Sequence, residues 1–225
     1  MTNDRFATLR QSLPHIRELL SKLEPTYRFP TVSEIDAAFI ERNDIGVVLW
    51  DVDGTLMGYH ANDIDRQFPH IRSLFHHGPA RHAILSNCDE VRYEQLGRMF
   101  SEIPVIRGYR TTDGPVFRHK LARSDTHTPE EVRRILSTGG VLMRKPSGDL
   151  IRYGMTIFEI NDPRAVLMVG DQYLTDIASA NLVGARSAKV PTFKRRTFPL
   201  SIQVSQRVER ILYAFRTSRE RGGAR

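Results

Sequence analysis

An α/β three-layer sandwich around a mainly parallel sheet is the fold class this chain predicts, and three observations carry it. Four short apolar runs, Val47–Trp50, His82–Leu85, Gly140–Met143 and Ala165–Val169, lack polar alternation, as do strands covered on both faces of a parallel sheet. Helical stretches are predicted over 65–76, 90–100, 129–137 and 175–183, and such alternation belongs to right-handed strand–helix–strand units. Finally, 225 residues with 40% apolar and 26% charged side chains fit one ordinary domain with an appendage.

In chain order, residues 3–23 space Phe6, Leu9, Leu13, Ile16, Leu20 and Leu23 as one face of a helix, with Pro14 interrupting or restarting it. Pro25 to Pro30 is a break, after which Thr31-Val-Ser33 caps a short helix through Arg42. The core is expected over 45–190, leaving 1–44 as a helical extension. Thr128, Pro129 and Glu131 form a capping box with proline at the first helical position. Residues 110–128 are polar and turn-rich, and 110–138 reads as a surface insertion or flap. The remaining 191–225 is a basic amphipathic tail, predicted to be helical over 199–216 and to fray from 218.

Charge is distributed unevenly. The net charge is +7, yet residues 189–225 alone hold ten Lys or Arg against two Glu, so 1–188 sum to −1. The tail stripe Ile202, Val204, Val208, Ile211, Leu212 and Phe215 has three readings: docking on the protein's own core behind a solubilising basic face, resting on an anionic membrane, or contacting nucleic acid. The third is disfavoured because only Tyr213 and Phe215 could stack on bases. No apolar run approaches the roughly 20 residues a bilayer requires, and Met1–Arg5 is no secretory signal. One cysteine, Cys88, cannot form an internal disulfide, so a cytoplasmic location, with peripheral membrane contact through 199–225, is expected.

Each apolar run ends in polar residues: Asp51-Val-Asp53-Gly-Thr55, then Ser86-Asn87, Lys145-Pro146, and Gly170-Asp171 with Asp176. Ligands bind at strand carboxyl ends in open α/β sheets. Unit charges of like sign about 4 Å apart repel by roughly 4 kcal/mol at an effective dielectric of about 20, so converging aspartates need a cation. Oxygen donors without histidine or thiolate favour Mg²⁺, which also recruits phosphoryl groups. Lys145 and Ser86 would serve the phosphoryl oxygens. Lys120 competes for the cationic role, but it lies between Arg118 and Arg123 in a polar segment, so Lys145 is preferred.

At DVDGTL (51–56), ILSN (84–87), RKP (144–146) and VGDQYLTD (169–176) the chain resembles the haloacid dehalogenase superfamily of aspartate-nucleophile phosphatases. The resemblance implies a Rossmann-like core with a minimal cap and a Mg²⁺-dependent phosphomonoester hydrolase. Asp51 would be the nucleophile and Asp53 the acid/base that Thr55 fixes. Thr55, Ser86, Asn87 and Lys145 would line the phosphoryl site, and Asp51, Asp53 through its carbonyl, Asp171 and Asp176 would hold Mg²⁺. TVSEI (31–35), VGDQYLTDI and QRVERIL (206–212) resemble the YqeG-like branch, of subfamily IIIA, which includes phosphatidylglycerophosphate phosphatases. Two features depart from it: Gly54, where that branch tends to carry Asn, and a longer stretch between Ser86 and Lys145.

About 25 residues separate Leu56 from the Ser86 strand, too few for a cap domain, so an open site and a bulky phosphorylated substrate such as a phospholipid head group are expected. Phosphatases of small metabolites or nucleotides, a polynucleotide-end phosphatase and a non-catalytic binding module are the alternatives. Taken singly the motifs are weak: Asp-x-Asp-Gly could open a calcium loop, although Thr55 and the glycine spacing argue against one. Cys88 lacks the downstream arginine of a thiolate phosphatase, with Glu94 at the sixth position after it. The eight histidines have no metal-ligand spacing.

Overall fold

Buried apolar residues alternate along the central strand and so divide the core in two. The computed structural model describes residues 20–222; the helix expected over 3–23 lies outside them up to residue 19. After β1 (Tyr27–Arg28), a 3-10 turn at Val32–Glu34 precedes α1 (Ala37–Arg42). One helix was expected here. Asp36 divides it by adopting an extended backbone and accepting from Phe39 N at 2.7 Å, which caps α1.

There follow β2 (Val47–Trp50), α2 (Pro69–His77), β3 (Arg81–Ile84), α3 (Glu90–Met99), β4 (Val105–Thr111), β5 (Gly114–Leu121) and β6 (Ser124–Asp125). The second half holds α4 (Pro129–Ser137), β7 (Val141–Leu142), α5 (Asp149–Ile157), β8 (Val166–Gly170), α6 (Ala178–Leu182), β9 (Arg186–Lys189) and α7 (Leu200–Gly222). The sheet runs β1-β9-β8-β2-β3-β4-β5-β6, parallel from β1 to β4 and antiparallel beyond, with β7 paired antiparallel to β4.

Val48 and Trp50 face a cluster with Phe39, Ile71, Leu74, Tyr93 and Leu96, while Val47 and Leu49 face Leu150, Ile151, Met168 and Ala180. Helices thus cover both sides of β2, and the three-layer α/β architecture is the one the apolar runs predict. A third cluster joins Leu23 to Tyr173, Leu174, Ile177 and Ala178, with Leu212 of α7 against it.

Three stretches differ from the sequence expectation. Residues 105–125, which take in most of the segment expected as a surface insertion or flap, form hydrogen-bonded sheet. Arg107 and Arg118 hid these strands: both are buried, stack on the Tyr93 ring, and reach Glu90, with Arg118 also paired to Asp125 and Glu94. The 140–143 run supplies only a two-residue strand, antiparallel to β4, and not a member of the parallel set. Finally, α5 appears where no element was expected, burying Leu150 and Ile151 and bringing Gly154 against Leu49.

The capping box is formed as the sequence indicates: Thr128 Oγ1 accepts from Glu131 N at 3.2 Å, and Glu131 Oε2 accepts from Thr128 N at 2.7 Å. Thr128→Ala is expected to cost about 1 kcal/mol of stability, measurable by urea denaturation.

Candidate active site

Sheet register brings the motifs to one edge. Trp50 pairs with Val169, and Asp51 N donates to Val169 O at 2.9 Å. Asp51 therefore leaves β2 beside Gly170 and Asp171 leaving β8. A five-residue π turn, Tyr173–Ile177, then folds Asp176 back over the strand end, the kind of local unwinding frequent at functional sites. Gly170 permits this approach, since a Cβ there would stand 2.2 Å from Asp176 Cγ. Gln172 N holds Asp176 Oδ2 at 3.0 Å.

Lys145 enters from the β7–α5 connection. Asn87 fixes its main chain from both sides, donating through Nδ2 to Lys145 O at 3.0 Å and accepting from Lys145 N at 2.7 Å. The Lys145 ammonium then donates to Asp51 Oδ1 at 2.7 Å and lies 2.6 Å from Asp176 Oδ1. Asn87, expected at the phosphoryl group, has both ends of its amide engaged on Lys145 instead.

Asp51, Asp171 and Asp176 bring carboxylate oxygens within 4.8 Å of one another, all three buried, with Lys145 buried among them. Three acids facing one ammonium leave negative charge out of water, which is costly. Burial, then the charges of Asp176 and Asp53, push the Asp51 carboxyl up to about 7 against the pull of Lys145. Burial and the neighbouring aspartates likewise raise Asp171 far above the carboxylate range. Burial opposes the charge on Lys145, but Asp176 and Asp51 outweigh it and hold the ammonium above its usual range. Asp171 Oδ1 is buried without a hydrogen-bond partner. An all-oxygen set with one unsatisfied oxygen and excess negative charge fits a hard divalent cation.

Asp53 is turned differently. Its Oδ1 accepts from Arg92 Nη2 at 2.9 Å and from His60 N at 2.9 Å, and its side chain is partly exposed. Thr55, expected to fix Asp53, donates to Asp51 Oδ2 at 3.2 Å. Ser86 sits half-buried at the end of β3 with no hydrogen bond among the described residues. Asp53, Ser86 and Asn87 are partly exposed beside the buried cluster and mark its solvent side. The C-terminal segment closes on the turn that follows Asp51. Phe193 N donates to Gly54 O at 2.7 Å, and a Cβ on Gly54 would meet Phe198 Cζ at 2.9 Å. Lys120 pairs with Glu94 and packs on Gly97, so it serves α3 and not the carboxylates.

Three site neighbours were not assigned to the site from the sequence, although two of them, Gln206 and Glu209, lie in the QRVERIL motif. Arg92 is buried, a position rarely held by arginine, and nothing in the spacing marks it. Gln206 Nε2 donates to Asp171 Oδ2 at 3.3 Å, and Glu209 Oε2 accepts from Tyr173 N at 3.1 Å. Both come from α7, whose sequence pattern points attention to its apolar stripe. Burial and the charge of Asp176 raise Glu209 to about 7.

Residues 142–200 match the HAD-hydrolase-like family model, a segment containing Lys145, Asp171 and Asp176. The matched segment leaves the Asp51–Thr55 turn outside it. No curated protein matches the chain. The crystal structure of an uncharacterized protein from Listeria monocytogenes serotype 4b aligns with a TM-score of 0.41 and 19% identity, over 64% of this chain and 76% of that one.

The raised carboxyl groups set a pH trend. Asp51 titrates near 7 when folded against a usual 3.8, so the folded chain holds the extra proton and stability falls as pH rises from the lower value through the upper. Without metal, the unfolding temperature should drop between about pH 5 and pH 8. Mg²⁺ at about 100 times its Kd should add about 2.7 kcal/mol at the higher pH. Thermal unfolding with chelator or Mg²⁺ at both pH values checks this.

Proposed function

We propose that the protein is a Mg²⁺-dependent phosphomonoester hydrolase that forms an aspartyl-phosphate on Asp51. The supporting observation is the Lys145 ammonium held between Asp51 and Asp176 with Asp171 alongside. A carboxylate nucleophile replaces one difficult displacement by two easier ones. Lys145 gives it a fixed positive charge where phosphoryl oxygens gather.

An Asp51 oxygen attacks phosphorus in line, the bond from phosphorus to the ester oxygen breaks, and Asp53 gives that oxygen its proton. Asp53, now ionised, takes a proton from water as the water oxygen attacks phosphorus. The acyl-phosphate P–O bond breaks, releasing inorganic phosphate and restoring Asp51. Thr55 orients Asp51 through its 3.2 Å hydrogen bond. Arg92 and His60 N keep the Asp53 carboxylate at the solvent side, where substrate and water arrive. Asp51, Asp171 and Asp176, with the Asp53 carbonyl, would hold the metal, which supplies charge neutralisation for the phosphoryl oxygens. The half-exposed Ser86 hydroxyl is free to donate to the same oxygens.

For the substrate, the resemblance of TVSEI, VGDQYLTDI and QRVERIL to the YqeG-like branch supports a phospholipid head group such as phosphatidylglycerophosphate. A panel of lipid phosphates, sugar phosphates, nucleotides and 5′-phosphorylated oligonucleotides, assayed with Mg²⁺, tests that choice. Preferential turnover of a soluble ester or an oligonucleotide end would replace it.

Asp51→Asn is expected to lower kcat by about 10⁴-fold or more while leaving the circular dichroism spectrum unchanged. Appreciable turnover in that variant would remove Asp51 as nucleophile. Asp53→Asn should slow breakdown of the phospho-enzyme, seen as acid-stable, hydroxylamine-sensitive label retained on the protein after a chase.

A further inference from the structure

Helix α7 is mounted with its polar side inward. Gln206 and Glu209 are buried on Asp171 and Tyr173 N. Leu200, Val204, Val208 and Ile211 are 78%, 56%, 48% and 54% exposed. At spacings of four, four and three residues they form one stripe on the outer face. The expectation that the tail stripe docks on the protein's own core is thus overturned for Val204, Val208 and Ile211. Exposed, contiguous apolar surface of this kind marks an interaction site.

A cationic cluster adjoins the stripe. Arg207 and Arg210 are exposed on α7. Arg195 reaches the same helix, donating from Nη2 to Gln203 O at 3.4 Å, one turn before Arg207. Its Nε is buried without an acceptor. Arg210 Nη2 lies 3.5 Å from Thr192 Oγ1. Lost hydration, then the positive charges of Arg210 and Arg207, depress the Arg195 guanidinium below its usual range. Among the described residues no carboxylate forms an ion pair with any of the three. Glu209, the acid nearest in sequence, is turned to the opposite face.

We infer that the outer face of α7, with Arg195 beside it, is a docking surface for an anionic lipid bilayer. Leu200, Val204, Val208 and Ile211 enter the acyl boundary while Arg195, Arg207 and Arg210 meet head-group phosphates. Charge selects this occupant. A second copy would bring the same uncompensated cations together. Residues 1–19 hold Asp4 and Glu18 against Arg5, Arg10 and Arg17, a net +1 with no surplus of negative charge for the cluster. Nucleic acid would satisfy the arginines but leave an aliphatic stripe with nothing to stack on. A bilayer with anionic lipids satisfies both halves, the pattern by which amphipathic helices lie in a membrane interface. Among the described residues no helix is long and apolar enough to cross a membrane, so the contact is peripheral. The inference concerns where the protein rests and is separate from what it hydrolyses.

Sedimentation of the full chain with vesicles tests it. Binding to equimolar phosphatidylglycerol and phosphatidylcholine should exceed binding to phosphatidylcholine alone by about tenfold. Val204→Asp with Val208→Asp, and separately Arg207→Glu with Arg210→Glu, should each lower it by about tenfold or more. All four side chains are exposed, and a retained thermal transition would verify folding. Asp51→Asn should pellet with vesicles like the natural chain, so a failed catalytic reading leaves this result standing. Equal pelleting with both vesicle types, or unchanged binding in both double variants, overturns the inference. So does concentration-dependent dimerisation abolished by the valine variant without vesicle binding, or salt-sensitive oligonucleotide binding in its place.

Discussion

One buried ammonium faces three buried carboxylates, and much of the chain's architecture serves to keep that arrangement. Coulomb attraction between Lys145 and its two partners is strong because water is excluded, and the same exclusion makes the uncompensated negative charge costly. The fold holds the groups in place with rigid main-chain devices. Asp51 is pinned by the ladder between β2 and β8, Asp176 by the π turn and Gly170, and Lys145 by the two-sided grip of Asn87. None of these supports is a long flexible side chain. The energy stored in such a cluster is what a divalent cation would release on binding.

The parallel half of the sheet was legible because its strands are short, aliphatic and covered on both faces, which leaves little room for another interpretation. Asp51 and Asp171 were legible for a related reason: each lies at the carboxyl end of such a run, so topology brings them together, whereas Asp176 reaches them through the π turn and Lys145 from the β7–α5 connection. Buried cations concealed the rest. Arg107 and Arg118 look like surface charges in sequence, yet three acids and the Tyr93 ring satisfy them inside the fold. Arg92 behaves likewise beside Asp53. Apolar patterning carries no information about a charge whose partners are distant in sequence, and α7 shows the converse error, an apolar face that points outward because its polar face has better partners within.

Helix α7 therefore belongs to two places at once. Its inner side touches a carboxylate of the site, and its outer side carries an apolar stripe with unneutralised arginines. Gln206, which touches Asp171, and the exposed stripe lie on the same helix, without an intervening loop. The basic loop ahead of it is tied to the nucleophile turn through Phe193 N and Gly54 O, so the C-terminal quarter of the chain forms one wall of the site.

The ends of the sheet have a bearing on self-association. Its aliphatic interior strands would be adhesive if exposed, but the outermost members are the two-residue strands Tyr27–Arg28 and Ser124–Asp125. Each offers too few free peptide groups, and too charged a border, to template a neighbouring molecule's backbone. Among the described residues, short charged margins of this kind disfavour edge-to-edge pairing of one sheet with another.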